Sequence, residues 1–396
     1  MSSYWIQREI SDELRQIARS HPVLVLTGPR QVGKTSLLER LFPEHRYVSL
    51  DVASNAEMAE TRPAEFLNRY PPPLLIDEVQ YAPAFFRDIK TVVDARRGEK
   101  GLFILTGSQN FLLMEQVADS LAGRAAVIPF LGLSSHEWAA ARHPQGLNDW
   151  MDFLWRGSYP ELWADPAAAP SRDRWYQGYL ATYLERDLRN LAQVTSLRDF
   201  ERFLRATAAR AGQTLNMSAL ARDIGIASST ARHWISVLQA SNQILLLEPY
   251  YRSLGKRLVK SPKLYFTDTG LLSFLLGFQS PQALRESPAI GALWENHVVA
   301  QWLRWRDWHQ PAATLWFWRD QSGNEVDLLI EHNGQLHAIE CKLTERPSGH
   351  ATRGLQRFQA LYGDTVARST IACTTTTPFD PAPSITAVSG WTTWPL

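Results

Sequence analysis

A short segment near the N-terminus combines glycines, a lysine and a hydroxyl side chain at a spacing suited to phosphate chemistry. It reads Gly28-Pro29-Arg30-Gln31-Val32-Gly33-Lys34-Thr35-Ser36 and follows a short apolar run. In such a loop glycines let backbone N–H groups turn toward phosphate oxygens, a lysine reaches the terminal phosphates, and a hydroxyl can hold Mg²⁺. The segment therefore predicts that residues 28–36 bind ATP, with Lys34 also catalytic and Thr35 a metal ligand.

A pair of carboxylates follows a second apolar run, in Leu74-Leu75-Ile76-Asp77-Glu78. Ligands gather at the carboxyl ends of strands in open α/β sheets, so these acids are predicted to meet the phosphate loop. Asp77 is expected to complete the Mg²⁺ shell with Thr35, and Glu78 to polarise the attacking water. The two motifs in this order indicate hydrolysis as well as binding. The alternative is an apolar strand that simply ends in two acids.

Three further candidates for the phosphate chemistry lie after a third apolar run. Ser108 or Asn110 is predicted to sense the γ-phosphate, or else to satisfy the backbone of a strand-end turn. Arg124 follows a flexible glycine and is a candidate arginine finger, with a surface ion pair as the alternative. Where a finger operates, it raises the rate by about 10³ to 10⁵. A finger that reached a neighbouring molecule would require a homo-oligomer.

The order of apolar runs and helical patterns defines the elements that must carry these residues. From residue 23 to 133 short apolar runs alternate with helical stretches, which is the βαβ rhythm of a parallel sheet in a three-layer fold. We predict an α/β protein in four parts: a P-loop ATPase core at 1–133, a helical lid or linker at 134–198, a winged helix at 199–262 and a C-terminal α/β domain at 263–396.

The third part has the pattern of a helix-turn-helix. Residues 217–223 and 229–240 are predicted as helices, with Ser228 as the serine cap of the second. Helical spacing turns the apolar residues of the second helix inward and Arg232 and His233 outward, where they are predicted to enter a DNA major groove. A basic hairpin after the helices is expected to contact phosphates through Arg252, Lys256, Arg257 and Lys260.

Positive charge is concentrated in this region. Residues 171–260 carry 14 Lys and Arg side chains against 7 Asp and Glu, whereas the whole chain has a net charge of +1. A local basic surplus is what a nucleic-acid surface requires, although a solvated helix face with spare arginines is an equally ordinary cause. Winged helices also bind proteins, so both DNA and a protein are candidate partners.

A second group of chemically active residues lies near the C-terminus. Asn333-Gly334 predicts a two-residue hairpin turn, whose register places Asp327 opposite Glu340. Strand alternation puts Lys342 on the same face as Glu340. Facing carboxylates repel unless a cation lies between them, so Asp327 and Glu340 are candidate ligands for Mg²⁺ or Mn²⁺. Glu340 and Lys342 are the candidate catalytic residues of this second site.

Several motifs together resemble those of one family. The stretches GPRQVGKT, LLIDEVQ, LTGSQNFLL and SLAGR, in this order, resemble the bacterial and archaeal AAA-type ATPases of the AAA_14 class, whose C-terminal half is the domain DUF4143. The stretches 183–188, 266–271 and 291–296 resemble landmarks of the same family. The resemblance covers nearly the whole chain and implies an AAA-type fold and ATPase activity.

The C-terminal carboxylates carry a second resemblance. Asp327 with the Glu340-x-Lys342 pattern resembles the PD-(D/E)XK core of restriction-endonuclease-like domains, with Val326 in the place of the proline. The resemblance implies that Glu295, on a preceding helix, is a further metal ligand. Three roles stay open: a metal-dependent nuclease, a nuclease-like domain used for binding or regulation, and two strand carboxylates that Lys342 neutralises.

Composition excludes several classes of protein. Of the 396 residues 45% are hydrophobic and 20% charged, which is typical of globular domains. The N-terminus has no signal-peptide pattern and no apolar run approaches about 18 residues, so a cytoplasmic protein without membrane contact is expected. Cys341 and Cys373 are too few for a disulfide framework or a cysteine-based zinc site.

The combined prediction is a Mg²⁺-dependent ATPase that acts on DNA and forms a homo-oligomer. One alternative is a nucleotide-switched regulatory protein that binds a protein partner and no nucleic acid. Another is a DNA translocase whose C-terminal domain only grips the DNA. DNA should stimulate ATP turnover by the predicted ATPase and by the translocase, but not by the regulatory protein.

Overall fold

The computed structural model describes residues 5–107, 120–164, 170–183, 196–251 and 261–395. The candidate sensors Ser108 and Asn110 lie outside these ranges. The basic side chains predicted to contact DNA phosphates also lie outside them, namely Arg252, Lys256, Arg257 and Lys260. The roles assigned to these residues therefore stay predictions.

The N-terminal part is a five-stranded parallel sheet with helices packed against it. Its strands are β1 (Val23–Thr27), β2 (Arg46–Ser49), β3 (Leu74–Asp77), β4 (Phe103–Gly107) and β5 (Ala125–Pro129). Its helices are α1 (Ser11–Ser20), α2 (Lys34–Leu41), α3 (Ala53–Thr61), α4 (Pro63–Arg69) and α5 (Phe86–Ala95). The strand order β2-β3-β4-β1-β5 buries β1 and β4 along their whole length, as expected of apolar strands in a parallel sheet. The predicted α/β fold with a P-loop core is confirmed.

The carboxyl ends of β1, β3 and β4 meet at one edge of this sheet, because the three strands are parallel neighbours. The phosphate loop follows β1 at this edge. Asp77 is the last residue of β3, and Thr106 lies near the end of β4. Arg124 directly precedes β5 and therefore lies at the opposite edge of the sheet.

Helices follow the sheet, and the role of residues 134–198 as a lid or linker stays a prediction. They are α6 (Ser135–Arg142), α7 (Leu147–Arg156), α8 (Arg172–Tyr183) and α9 (Leu197–Ala208). A capping box starts α6: the Ser134 hydroxyl accepts the Glu137 N–H, and the Glu137 carboxylate accepts the Ser134 N–H. Trp138 packs on Phe153 and Trp163 with ring centroids 4.7 and 5.3 Å away, which closes the apolar layer under these helices.

A helix-turn-helix comes next, formed by α10 (Met217–Ile224) and α11 (Ser228–Ala240). Gly225 turns the chain between them with a φ of 82°. The N-cap of α11 is Ala227, whose carbonyl accepts the Ala231 N–H at 3.0 Å, and no side-chain cap hydrogen bond forms. The prediction that Ser228 caps this helix is wrong, because Ser228 already lies in the first helical turn.

A two-stranded antiparallel sheet follows the helix-turn-helix and is formed by β6 (Ile244–Leu247) and β7 (Lys263–Phe266). We call this sheet the wing, after its predicted role. Ile244 lies opposite Phe266, and Leu247 lies opposite Lys263. The domain boundary predicted between residues 262 and 263 falls inside this sheet. Hydrogen bonds thus group β7 with β6, and the division of the chain into domains stays a prediction.

The C-terminal part is a mixed sheet with helices. The helices are α12 (Thr269–Leu275), α13 (Pro281–Arg285), α14 (Ile290–His309) and α15 (Arg353–Tyr362). The strands are β8 (Thr314–Arg319), β9 (Glu325–His332), β10 (Gln335–Cys341), β11 (Val366–Cys373), β12 (Phe379–Ala382) and β13 (Ile385–Ser389). The order is β12-β13-β11-β10-β9-β8, with β8, β9 and β10 antiparallel and β10, β11 and β13 parallel.

The hairpin between β9 and β10 has the predicted register. Asn333 and Gly334 have φ of 51° and 74°, the left-handed backbone that a two-residue turn requires. Pairing runs from His332 and Gln335 at the turn to Leu328 and Ile339. Asp327 and Glu340 are the next residues of the two strands beyond the last of these pairs.

The helix α14 connects the ATPase sheet with the wing. Near its C-terminal end the Trp308 indole N–H donates to the Pro129 carbonyl at 3.1 Å. Near its N-terminal end the Asn296 amide bonds the N–H and the C=O of Phe266 in β7, at 2.7 and 2.8 Å. Its 20 residues span about 30 Å. Neither α14 nor any other helix of the described residues is long and apolar enough to cross a membrane.

Candidate functional site

The loop that follows β1 has a backbone that requires glycine at two positions. Gly28 has a φ of 151°, and a Cβ there would lie 1.9 Å from the Phe130 carbonyl oxygen. Gly33 has a φ of 90° and is the N-cap of α2, where it supplies no capping side chain. The first N–H groups of α2 are thus left for a ligand, and phosphate oxygens suit them.

Lys34 lies across this loop. Its side chain is buried, and its ammonium group donates to the carbonyl oxygens of Gly28 and Pro29 at 2.9 and 2.8 Å. An ammonium group binds an anionic oxygen more strongly than a neutral carbonyl. We therefore expect phosphate oxygens to take over these contacts when a nucleotide binds.

The other side chains of the loop divide into core and rim. Val32 is buried in the core of the domain, whereas Gln31 and Ser36 are exposed. Arg30 is half-buried, and its guanidinium lies 3.5 Å from the Tyr81 hydroxyl. Arg30, Gln31 and Ser36 therefore stand at the rim of the loop.

Asp77 joins the loop to the acidic motif. Its carboxylate accepts hydrogen bonds from the Thr35 hydroxyl at 2.9 Å, from the Tyr47 hydroxyl at 3.3 Å, and from the Thr106 hydroxyl. Partial burial and the nearby Asp77 charge raise the pKa of Tyr47 to about 12, so this phenol stays a donor. The Thr35 hydroxyl and the Asp77 carboxylate are hard oxygen ligands, and they fit a Mg²⁺ ion beside the phosphate loop.

Glu78 has a backbone conformation that is uncommon for a residue with a side chain. Its φ is 55°, and its N–H donates to the Thr106 hydroxyl at 3.3 Å. The buried Gln80 amide donates to its carboxylate. Such backbone strain is found at functional sites when the surroundings hold it in place. The sequence did not single out Thr106 or Gln80, although both lie inside the motifs that define the family resemblance.

Arg124 is separated from these residues. Its guanidinium makes a two-point ion pair with Asp94 on α5, with N–O distances of 2.8 and 3.0 Å. Because it precedes β5, it lies at the amino edge of the sheet, whereas the phosphate loop lies at the carboxyl edge. Arg124 therefore does not reach the nucleotide site of its own chain, and the ion pair given as the alternative to a finger is present.

Arg8 is a residue of this site that sequence reasoning missed. Its buried guanidinium donates to the carbonyl oxygens of Val32 in the phosphate loop and Leu131 after β5, at 3.0 and 2.8 Å, and to the Glu137 carboxylate at 3.0 Å. It also stacks 4.0 Å from the centre of the Phe130 ring. Arg8 thus fixes the phosphate loop against the start of α6.

We expect an Arg8→Met substitution to lower the thermal unfolding midpoint of the protein by about 5 °C or more, because it leaves the buried Glu137 without its cation. Burial already raises the pKa of Glu137 in the presence of Arg8. Differential scanning fluorimetry measures the midpoint. Arg15→Met, which removes an exposed arginine paired with the exposed Asp12, is the control and should leave it unchanged. Equal midpoints for the two variants would contradict the role of Arg8.

The second helix of the helix-turn-helix presents the predicted faces. Its inward side chains are buried, namely Ala231, Trp234, Ile235 and Leu238. Arg232 and His233 are exposed on the other side of α11. Trp234 holds the helix by packing on the rings of Phe200 and Phe203 in α9, with centroids 5.0 and 5.1 Å away.

Carboxylates of the C-terminal part lie close together, as the hairpin register implies for Asp327 and the resemblance to a nuclease core implies for Glu295. Glu295 on α14 and Glu325 and Asp327 on β9 each place an oxygen within 4.8 Å of the others. Asp327 accepts the Cys341 N–H at 2.8 Å, so its second oxygen is held by the backbone of β10. This cluster has a member that the sequence did not indicate, Glu325, which lies two residues before Asp327 on the same strand face.

Glu340 and Lys342 lie beside this cluster. The Lys342 ammonium donates to Glu340 Oε1 at 2.7 Å. Glu340 Oε2 is buried and has no hydrogen-bond partner among the described residues. Burial raises the pKa of Glu340, and the neighbouring Asp327 charge raises it further. Lys342 therefore neutralises one oxygen of Glu340, which was predicted to hold a metal ion together with Asp327.

Lys263 from β7 enters the same cluster. Its ammonium lies 2.8 Å from Glu295 Oε1 and 3.6 Å from Asp327 Oδ1, and it also pairs with Glu325. Burial acts to lower the pKa of Lys263, but the three carboxylates outweigh it and raise the pKa well above its ordinary value. As folded, these residues do not fit a divalent cation, because an ammonium group stands between the ligands that the cation would need.

Family models match three successive stretches of the chain. An AAA domain model, AAA_14, matches residues 20–139, a domain of unknown function, DUF8612, matches 147–282, and another, DUF4143, matches 290–390. Together with the parallel sheet and the phosphate loop, these matches define a P-loop ATPase with a mixed-sheet C-terminal domain.

Comparison with whole proteins extends the relationship over most of the chain. The uncharacterized proteins Rv2008c of Mycobacterium tuberculosis and Mb2031c of Mycobacterium bovis are each 32% identical over 346 residues, or 86% of this chain and 75% of the relative. The Walker-type ATPase PABY2304 of Pyrococcus abyssi is 15% identical, with a TM-score of 0.44 over 68% of this chain and 96% of that one. The chain belongs to the AAA_14/DUF4143 family of AAA-type ATPases.

Proposed function

We propose that the protein is a Mg²⁺-dependent ATPase that couples ATP binding and hydrolysis to action on DNA. The observation that carries the ATPase part is the 2.9 Å hydrogen bond between the Thr35 hydroxyl and the Asp77 carboxylate, which joins the phosphate loop to the acidic motif. Membership of an AAA-type ATPase family supports the same activity. Measurement of ATP turnover with and without nucleic acids tests both parts of the proposal.

Each residue at the carboxyl edge has one task in this mechanism. The N–H groups of the loop and the Lys34 ammonium hold the phosphates, while Thr35 and Asp77 would hold Mg²⁺. An ion held by these two residues would offset the negative charge that develops on the phosphate oxygens. Glu78 accepts a hydrogen bond from the attacking water and directs its oxygen toward the γ-phosphate. Gln80 keeps the Glu78 carboxylate in position by its hydrogen bond.

The helix α11 is the proposed reader of DNA. Arg232 and His233 extend from its exposed face, and the sequence around it is basic. A helix of this kind can enter a major groove while basic side chains of a wing contact phosphates. We place Arg252, Lys256, Arg257 and Lys260 in that second role from their sequence positions alone.

We expect the double variant Arg232→Ala/His233→Ala to bind double-stranded DNA about tenfold more weakly than the wild type, because it loses contacts to bases or phosphates. Fluorescence anisotropy at several salt concentrations measures this, and binding by the wild type should weaken steeply as salt rises. Gln239→Ala, at an exposed position of the same helix, is the matched control.

The main alternative is a nucleotide-switched regulator that binds a protein partner through the same helix. It predicts that single- and double-stranded DNA neither shift in a gel nor stimulate ATP turnover, and that the double variant behaves like the control. A translocase whose C-terminal domain only grips predicts stimulation of turnover by DNA without cleavage. A panel of single-stranded, double-stranded and RNA substrates separates these outcomes.

We also propose that the protein forms a homo-oligomer in which Arg124 acts on the nucleotide of a neighbour. The distance of Arg124 from its own phosphate loop, at opposite edges of one sheet, supports action between molecules. Its side chain is about one-third exposed, and so is that of its partner Asp94, so a neighbouring phosphate can compete for the guanidinium. Mass measurement with and without a non-hydrolysable ATP analogue tests the assembly.

The C-terminal domain is proposed to contribute to binding DNA rather than to cleaving it. The nuclease role drawn from Glu295, Asp327, Glu340 and Lys342 requires a divalent cation among these carboxylates. Lys263 pairs with two of these carboxylates, Glu295 and Asp327, and also with Glu325, which argues against that requirement. The domain therefore serves as a nuclease-like binding or assembly module in this proposal.

A further inference from the structure

Lys263 is the first residue of β7, yet its side chain ends among carboxylates of the C-terminal sheet and of α14. The side chain is only 4% exposed. Removing an ammonium group from water is costly unless opposite charges and hydrogen bonds compensate it. Glu295, Glu325 and Asp327 provide that compensation here, with N–O contacts that include 2.8 and 3.6 Å.

The same three carboxylates are the group that a divalent cation would use. Mg²⁺ needs oxygen ligands at about 2.0–2.1 Å in near-octahedral geometry, and it carries two positive charges. An ammonium group beside the same oxygens repels such an ion at short range and blocks its coordination positions. Lys263 and a divalent cation therefore exclude each other at this place.

The position of Lys263 is set by the backbone of β7, not by its own flexible side chain alone. The Tyr265 hydroxyl, on the same face of the strand, donates to Glu295 Oε1 at 2.5 Å. Asn296, the next residue of α14, bonds both backbone groups of Phe266. Two consecutive residues of α14 thus bind three residues of β7. The position of the strand therefore fixes the position of the Lys263 ammonium in the cluster.

We propose that Lys263 is the resident cation of the carboxylate cluster and stands in the place of a metal ion. The lysine neutralises Glu295, Glu325 and Asp327 and fastens the wing to the C-terminal sheet. The cluster is then an internal joint between two parts of the chain. While β7 keeps its place, the domain binds no divalent cation at these residues and cleaves no nucleic acid through them.

Binding of Mn²⁺ to the full chain in the absence of nucleotide tests the proposal. Electron paramagnetic resonance measures the concentration of free Mn²⁺. With the wild type it should detect no Mn²⁺ bound at the cluster, at Mn²⁺ concentrations up to about 1 mM. Lys263→Gln removes the internal cation and should bind one Mn²⁺ at least about tenfold more tightly than the wild type. Adding Asp327→Asn to this variant should abolish the new site.

Two further variants control for charge and folding. Lys263→Arg keeps a cation and should resemble the wild type, and so should Lys100→Gln, which removes an exposed lysine of the ATPase core. Circular dichroism shows whether Lys263→Gln folds. If it does not fold, the Mn²⁺ titrations of the wild type and of Lys263→Arg still test the proposal. Mn²⁺ binding by either protein that Asp327→Asn eliminates would overturn the proposal.

Two other results would also overturn it. One is a folded Lys263→Gln protein that gains no Mn²⁺ site. The other is nicking of supercoiled DNA by the wild type in Mg²⁺ or Mn²⁺ that disappears in Asp327→Ala and Lys342→Ala. The ATPase proposal is tested separately by ATP turnover, so failure of one proposal does not decide the other.

Discussion

A Lys34→Ala protein will hydrolyse ATP at least about 100-fold more slowly than the wild type, since it loses a preorganised cation aimed at the charge that develops on the phosphates. The Lys34 ammonium is buried and already lies over the loop, bonded to the carbonyl oxygens of Gly28 and Pro29. Alanine leaves the loop backbone intact but removes this donor. The loss should therefore appear in the rate of the chemical step as well as in the affinity for ATP.

Steady-state phosphate release at saturating ATP, together with binding of a fluorescent ATP analogue, measures the two effects separately. Lys100→Ala, which removes an exposed lysine of the same domain, should hydrolyse ATP at the wild-type rate. The thermal unfolding midpoints of both variants should lie close to that of the wild type. Wild-type turnover by Lys34→Ala would show that the phosphate loop is not the site of hydrolysis.

Local sequence patterns are sufficient to predict the structure where a short segment determines its own backbone conformation. The glycines of the phosphate loop occupy the left-handed or sterically crowded positions that the motif implies, and Asn333-Gly334 forms the turn that sets the hairpin register. The register then placed Asp327 beside Glu340 without any knowledge of the fold. Helix periodicity likewise predicted which side of α11 is buried.

Contacts between distant segments could not be predicted in this way. Arg8 meets Val32 and Glu137 only because the chain leading into α1 lies beside both the phosphate loop and the start of α6. Lys263 meets Glu295 and Asp327 because the wing packs on the C-terminal sheet. A single arginine or lysine has no sequence pattern that names its partner, so a three-dimensional structure is needed to find both.

The location of Arg124 depends on the direction of one strand. A residue that precedes a parallel strand lies at the amino edge of the sheet, and ligands bind at the carboxyl edge. This rule separates Arg124 from the nucleotide of its own chain, even though the residue comes from a motif of the same domain. The ion pair with Asp94 does not argue against the finger, because a phosphate of the neighbouring molecule can displace Asp94 from the partly exposed guanidinium.

An Arg124→Ala protein is expected to hydrolyse ATP about 10³-fold more slowly than the wild type if the guanidinium acts as a finger on the neighbouring nucleotide. ATP binding should remain, since the phosphate loop is untouched. Asp94→Asn is the matched control: it removes the intramolecular partner of Arg124 and leaves the guanidinium in place. Its turnover should stay close to that of the wild type.

Mixing two inactive variants separates a finger from a structural ion pair. In an oligomer of Arg124→Ala and Lys34→Ala chains, some interfaces combine the intact phosphate loop of the first with the intact arginine of the second. Turnover should therefore reappear on mixing, in proportion to the number of such interfaces, although each variant alone is inactive. A role confined to the pair with Asp94 predicts no recovery, because every chain would still carry its own defect. Recovery would also establish that the active form contains more than one chain.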